Sequence, residues 1–134
     1  MQSKWLPFFA VVLFAAVSVL ALIHAAWGHD PNDPELDVWY AVLKMPDNPN
    51  ISCCGKADAY WCDDVWSKDE QTFCRITDSR DDKPLGRPHI DVGTIIQIPP
   101  NKFGPGKWGN PTGHAVVFLS YSRAVYCFIQ GSGV

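Results

Sequence analysis

The chain has 134 residues, five of them cysteines, and carries 11 basic and 14 acidic residues for a net charge of −3. This length fits one small domain, and the mildly acidic balance argues against nucleic acid and anionic lipid as partners. Small domains bury only a modest core, so five cysteines indicate disulfides and an oxidising compartment.

The first segment has the features of an export signal. A short basic start ends at Lys4, an apolar run follows over residues 5–23, and no acid precedes Asp30. At about 19 residues the run is longer than the core of a cleaved signal peptide and close to the ~20 that span a bilayer. The sequence therefore predicts a signal peptide over residues 1–28, with an uncleaved amino-terminal anchor as the alternative.

Two cleavage sites satisfy the small-residue rule, one before His29 and one before Ala26. The first cut places His29 at the amino terminus, where its amine and ring can chelate copper. Either way, Lys4 before the apolar run and the acids after it place the domain over residues 29–134 outside the cytoplasm, in the periplasm or secreted. Membrane contact is expected only through the first segment, if it stays uncleaved and anchors the protein to the inner membrane.

A helix is predicted over residues 34–45. Asp33 has the residue type of an N-cap, Pro34 suits the first helical position, and Pro46 ends the helix. Apolar residues then recur at helical spacing, namely Leu36, Trp39, Tyr40 and Leu43. This stripe predicts contact between the helix and the core.

A first β-hairpin is predicted after the helix. Residues 59–66 alternate like a strand, residues 67–70 form a turn, and residues 71–77 form a second strand rich in aromatic and β-branched side chains. Pairing the two strands sets Cys62 opposite Cys74, within reach of a disulfide.

The rest of the chain adds more strands. A polar loop over residues 78–88 precedes a β-branched strand at 94–98, and a Gly/Pro-rich loop over 101–113 leads to an apolar hairpin formed by 114–120 and 124–129. The hairpin is apolar on both faces, which predicts the centre of the sheet. The expected fold is mainly β (α+β): a small antiparallel meander of five or six strands, barrel- or sandwich-like, with one N-terminal helix.

Five cysteines leave two disulfides and one odd thiol. Besides Cys62–Cys74, we predict a link to Cys127 in the apolar hairpin from Cys54 or, alternatively, from Cys53. That link closes about 70 residues, for which the chain-entropy model gives roughly 4 kcal/mol. The odd thiol has three possible fates: inert, paired with a second chain, or reactive.

One hypothesis is a hydrolase in which Cys54, or its neighbour Cys53, is the nucleophile and His114 its base. Asp58 or Asp91 would then orient the imidazole. A thiolate beside an oriented imidazole is the pattern that acyl transfer requires, because the base removes the thiol proton.

The turn Cys54-Gly55 and the strand start at residues 113–119 resemble, in their order, those of the exported cell-wall cysteine peptidases of the NlpC type. That resemblance implies a Cys–His hydrolase. The chain departs from the family, whose cysteine begins a long helix, because the sequence after Tyr60 alternates like a strand.

A second hypothesis is a copper or zinc site. Thiolate and imidazole are the ligands that these metals prefer, and the candidates are Cys53, Cys54, His114, His89 and the amino-terminal His29. No pair among them has a CxxC or HxxxH spacing, so only the residue types favour a metal.

The third hypothesis, which we favour from the sequence, is a non-catalytic extracytoplasmic binding or structural module for an unknown ligand or protein. Its contact candidates are Trp108 and Phe103 in the long loop, together with Trp61. A loop of that length in a small domain is usually either functional or disordered.

Two motifs carry a wider resemblance: Ser52-Cys53-Cys54-Gly55 and Gly109-Asn110-Pro111-Thr112-Gly113-His114. The segments that accompany them are Asp58, Tyr60, and residues 76–78, 84–89 and 126–128. Together they resemble a group of small exported proteobacterial proteins of unknown function. The resemblance implies a periplasmic or secreted setting and no particular activity. Its pattern omits Cys62 and Cys74, which implies that these two form an added pair.

Overall fold

The computed structural model describes residues 33–131, which form a mainly antiparallel β fold with one main helix. This confirms the predicted class. Within these residues eight strands make three sheets, which is more than the five or six strands predicted, and the sheets do not close into a barrel. The predicted signal peptide or anchor, the cleavage sites and His29 lie outside the described residues.

Helix α1 spans Pro34–Val42, and a one-turn helix, α2, spans Asp82–Leu85. The strands are β1 (Lys44–Met45), β2 (Asn48–Ser52), β3 (Ala57–Trp61), β4 (Asp64–Lys68), β5 (Gln71–Arg75), β6 (Ile95–Ile98), β7 (Val116–Ser120) and β8 (Val125–Ile129). The first sheet is a hairpin of β1 and β2. The second, which we call the central sheet, has the strand order β3-β7-β8, and the third, the outer sheet, has the order β4-β5-β6. Two 3-10 turns, Pro100–Lys102 and Gly106–Trp108, lie in the long loop.

Helix α1 begins as predicted and ends earlier. The Asp33 carboxylate accepts hydrogen bonds from the backbone N–H groups of Glu35 and Leu36, at 3.2 and 3.4 Å. The helix ends at Val42 because Leu43 is already extended and leads directly into β1. None of the helices in the described part of the chain is long and apolar enough to cross a membrane.

The central sheet is covered on both faces, which explains why β7 is apolar throughout. Val116 and Phe118 point into a core shared with α1, which we call the helix-side core. Val117 and Leu119 point into a core shared with the outer sheet. Only one strand of the apolar hairpin is therefore central, as predicted: β7 lies in the middle of the sheet, whereas β8 lies at its edge.

The strand predicted over residues 59–66 is split at Cys62 and Asp63. Its first part, β3, pairs with β7, and its second part, β4, pairs with β5, so the chain crosses from the central to the outer sheet. Val65, not Cys62, stands opposite Cys74. The Cys62–Cys74 disulfide exists as predicted, with Cα atoms 5.6 Å apart, but it joins two sheets instead of two strands of one hairpin.

The second disulfide links Cys53 to Cys127 and leaves Cys54 as the free thiol. The prediction that favoured Cys54 is therefore wrong, and its alternative is right. Cys53 is fully buried in the helix-side core, and its N–H group donates to the carbonyl of Leu43 at 3.0 Å. Two disulfides are typical of an oxidising, extracytoplasmic compartment.

Candidate functional site

The break between β3 and β4 exposes the carboxylate around which the candidate site is built. One oxygen of Asp63 accepts the N–H of Ala115 at 2.8 Å. The other oxygen lies 2.8 Å from Nδ1 of His114 and accepts the hydroxyl of Thr77 at 3.0 Å. Asp63 thus fixes the start of the central hairpin and orients an imidazole.

The loop before β7 holds His114 from the other side. The Asn110 amide donates to the carbonyls of His114 and Gln130, at 2.7 and 2.8 Å. The Thr112 hydroxyl lies 2.6 Å from the Asn110 side-chain oxygen and accepts the N–H of His114 at 3.0 Å. Gly113 follows with a φ of 73°, a conformation that glycine adopts without strain. The polar residues of this loop therefore act as a support for one histidine.

An aromatic contact completes the support. The His114 ring stacks on the Trp61 indole, with centroids 3.9 Å apart and planes 13° apart. The Arg80 guanidinium also lies over the Trp61 ring, 3.9 Å from its centroid. Arg80 in turn bonds to Asp78 at 2.7 Å. Trp61 therefore couples the imidazole to the neighbouring ion-pair network.

A cavity of about 360 Å³ opens beside His114. Its lining residues are Asp63, Val65, Gly113, His114, Ala115, Phe128, Gln130 and Gly131. A second cavity, of about 270 Å³, shares Gln130 and Gly131 with the first. Mostly apolar walls with a few convergent polar groups are typical of small-molecule sites, and the larger volume falls in their usual range.

Electrostatics determine which of Asp63 and His114 donates the hydrogen bond between them. Burial raises the pKa of Asp63, but hydrogen bonds from His114, the Ala115 N–H and Thr77 outweigh burial and hold the pKa below its ordinary value. An ionised carboxylate only accepts hydrogen bonds, so Nδ1 of His114 carries the proton. In the neutral ring Nε2 is then an acceptor.

Next to the site lies a buried ion-pair network centred on Asp78. This carboxylate accepts the N–H of Trp61 at 3.1 Å and bonds to Arg80 and Arg87, both at 2.7 Å. Burial raises the pKa of Asp78, but the two arginines outweigh it and hold the pKa far below its usual range. Arg87 also donates to the carbonyl of Ala59 at 2.7 Å, so the network fastens the loop before β6 to β3.

The residues proposed for a hydrolase are not brought together. Cys54 precedes β3, whereas His114 lies beyond the pair Trp61–Val116 at the far end of β3 and β7, on the order of 20 Å away. Burial, and then the nearby charge of Asp58, raise the pKa of the Cys54 thiol to about 12. Little thiolate forms at neutral pH, so Cys54 is not an activated nucleophile.

The proposed orienting residues are also placed elsewhere. Asp58 lies close enough to Cys54 to raise the pKa of its thiol, and burial raises the pKa of Asp58 itself. Asp91 bonds to Nε2 of His89 at 3.0 Å. The carboxylate that orients His114 is Asp63, which the sequence did not single out.

The proposed metal ligands are likewise scattered. Cys53 is in a disulfide, Cys54 and His114 lie at opposite ends of β3, and His89 bonds to Asp82 and Asp91. Over residues 33–131 no group of three or more His, Cys, Asp or Glu side chains is placed to hold a metal ion.

The three aromatic residues predicted to contact a ligand lie in different parts of the fold. Trp108 packs on the helix-side core, and its carbonyl accepts the indole N–H of Trp39 at 3.0 Å. Phe103 packs edge-on against Phe128, with centroids 5.2 Å apart. These two residues are mainly core contacts, and only Trp61 lies at the candidate site.

Sequence reasoning missed three residues that build the site: Asp63, Thr77 and Gln130. The polar, glycine-rich composition of residues 109–114 was a visible signal, but nothing in the spacing of Asp63 marks it as the partner of His114. Comparisons with protein-family models, curated proteins and solved structures found no match. The interpretation therefore depends on the geometry of the site itself.

Proposed function

We propose that the domain is a non-catalytic extracytoplasmic binding module that takes a small ligand in the cavity beside His114. The observation that carries the proposal is an imidazole fixed at the wall of this cavity. Asp63 holds the ring at 2.8 Å, and Trp61 stacks on it at 3.9 Å. A side chain oriented in this way loses little conformational freedom on binding, which favours recognition.

The lining of the cavity favours binding over catalysis. None of the residues that line this cavity is a serine, threonine or cysteine, so its described wall offers no side-chain nucleophile for His114 to activate. The free thiol of Cys54 lies at the other end of β3, and its pKa is raised to about 12. Within residues 33–131, the groups proposed for a hydrolase or for a metal site are thus not placed side by side.

The polar groups of the cavity indicate the chemistry of the ligand. With the proton of the His114 ring on Nδ1, toward Asp63, Nε2 is the nitrogen left for a ligand. The exposed Gln130 offers an amide, while the Asp63 oxygens are already occupied by protein donors. Val65 and Phe128 supply apolar wall. The ligand we propose is a small neutral or cationic molecule that carries hydroxyl, amine or amide donors on an apolar body.

The disulfides support an extracytoplasmic setting, because such bonds persist in oxidising compartments. We propose that residues 1–28 deliver the domain to the periplasm or medium, or anchor it to the inner membrane if they stay uncleaved. The ligand would then be met outside the cytoplasm.

The test is a fragment screen by two-dimensional NMR, with small amines, amides and polyols at millimolar concentration. We expect a subset of fragments to shift the backbone amides of Val65, His114, Ala115 and Gln130, and His114→Ala to abolish these shifts. The matched control is His89→Ala, which removes a surface histidine outside the cavity and should bind as the wild type does. The proposal would be contradicted if no fragment shifts the amides of the cavity residues, or if fragments bind His114→Ala as well as the wild type.

A further inference from the structure

A second surface with binding chemistry lies on the outer face of the outer sheet. Trp66 follows Val65, so the two side chains point to opposite faces of β4, and Trp66 faces away from the cavity. Trp66 stands directly opposite Phe73 on β5. The two rings lie with their centroids 5.7 Å apart and their planes only 20° apart.

Polar side chains surround this aromatic pair. Arg75 reaches over Trp66, with its guanidinium carbon 5.5 Å from the ring centroid, and its Nε donates to Asp64 at 2.9 Å. Gln97 on β6 stands directly opposite Phe73. The surface therefore combines two half-buried rings with an exposed guanidinium, carboxylate and amide.

We propose that this outer face, defined by Trp66, Phe73, Arg75, Asp64 and Gln97, binds a neutral glycan. The negative face of an aromatic ring attracts the polarised C–H bonds on the flat side of a sugar ring. The planar amide, carboxylate and guanidinium can donate to and accept from the hydroxyl groups around the ring edge. Asp64 and Arg75 neutralise each other beside the rings, which favours an uncharged sugar there. Lys68 shares this face and adds one positive charge two residues beyond Trp66.

The size of the surface favours a glycan over a protein. A stable protein interface buries about 800 Å² on each partner around a desolvated apolar centre. Here the apolar part consists of the exposed edges of two half-buried rings and of Ile95, which is 53% exposed, and charged groups adjoin it. Such a strip suits one or two sugar rings.

The experiment is a calorimetric titration with two soluble probes, chitotetraose and cellotetraose, on the full domain. We expect binding of at least one probe, and Trp66→Ala should weaken it about tenfold or more, as for a central aromatic contact. Gln97 is exposed on β6, and Gln97→Ala should weaken binding about fivefold through the lost hydrogen bonds.

The controls separate this site from the His114 cavity and from a general aromatic effect. His114→Ala should leave glycan affinity unchanged, as should Tyr121→Ala, which removes an 88% exposed ring from the turn between β7 and β8. The proposal is overturned if neither probe binds at millimolar concentration, or if Trp66→Ala and Gln97→Ala bind like the wild type. A concentration-dependent dimer in sedimentation that Trp66→Ala dissolves would also overturn it, in favour of a second copy of the chain.

Discussion

Asp63 and Asp78 lie on either side of Trp61 and make similar hydrogen bonds in different surroundings. Each accepts a backbone N–H and bonds to basic side chains, and the pKa of each is held below its ordinary value. The Asp78 side chain is fully buried and bonds to two arginines. Asp63 is 39% exposed and bonds to the imidazole of His114 at the cavity.

The different partners of the two carboxylates indicate a structural role for one and a functional role for the other. Arginine stays charged at every physiological pH, so a buried Asp–Arg pair provides a permanent link between loop and strand. An imidazole can gain or lose a proton near neutral pH and can offer a nitrogen to a ligand. We therefore assign a structural role to the Asp78 network and a positioning role to Asp63, and four predictions test this division.

The largest effect is expected for Arg87→Met, which breaks the buried pair. The variant leaves the charge of Asp78 buried without one of its partners, so the free energy of unfolding should fall by about 3–5 kcal/mol. Urea unfolding followed by tryptophan fluorescence measures this loss. The matched control is Arg75→Met, since its pair with Asp64 has side chains 47% and 55% exposed and should contribute less than about 1 kcal/mol. Equal losses in the two variants would show that burial does not distinguish the networks.

A smaller effect on stability and a large effect on binding are expected for Asp63→Asn. The amide keeps the size of the side chain but weakens its bonds to His114 and the Ala115 N–H, which should cost about 1–2 kcal/mol at this half-exposed position. Fragment binding in the cavity should weaken strongly, because the imidazole is held less firmly in its orientation. Asp64→Asn, one residue along, serves as the control and should retain fragment binding. A variant at position 63 that binds fragments normally would refute the positioning role of Asp63.

The fold could be predicted where local patterns decide it. Residues close together in the sequence determine three features: the N-cap Asp33, the apolar stripe of α1 and the apolar hairpin. The structure confirms each of them. The split between β3 and β4 could not be predicted, because the alternation of side chains continues unbroken across it. What breaks the strand is the bonding of Asp63 to His114 and Ala115, more than fifty residues away in the sequence.

The site could be predicted only in part, for the same reason. His114 and Trp61 were candidates because their residue types are rich in chemistry, but choosing the partner of His114 among 14 acidic residues requires the three-dimensional register. Similarly, Cys53 and Cys54 are neighbours in the chain, and only the packing of α1 on the central sheet decides which of them reaches Cys127.

Acid should destabilise the domain through both carboxylates. The folded pKa of Asp78 and that of Asp63 lie below the value of about 3.9 expected in the unfolded chain, so their contribution is fully present above about pH 4. It is lost as the pH falls through the folded pKa values, because the unfolded state then binds more protons. Urea midpoints measured from pH 6 to pH 2 should fall steeply in the wild type and less steeply in Asp63→Asn. Parallel curves for the two proteins would contradict a depressed pKa for Asp63.

The smallest effect is expected at His89, whose pKa changes in the opposite direction. Hydrogen bonds to Asp82 and Asp91, at 2.6 and 3.0 Å, raise the pKa of this imidazole above 6.5. Its contribution to stability is therefore complete below the unfolded pKa of about 6.5 and is lost as the pH rises through the folded pKa. Solvent screens this exposed group, so the change should be slight, and an NMR titration of the ring is the sharper measurement. In Asp82→Asn the titration midpoint of the His89 ring should move to lower pH. In Asp63→Asn it should stay unchanged, because Asp63 bonds to a different histidine. An unchanged midpoint in Asp82→Asn would show that the His89–Asp82 ion pair does not form in solution.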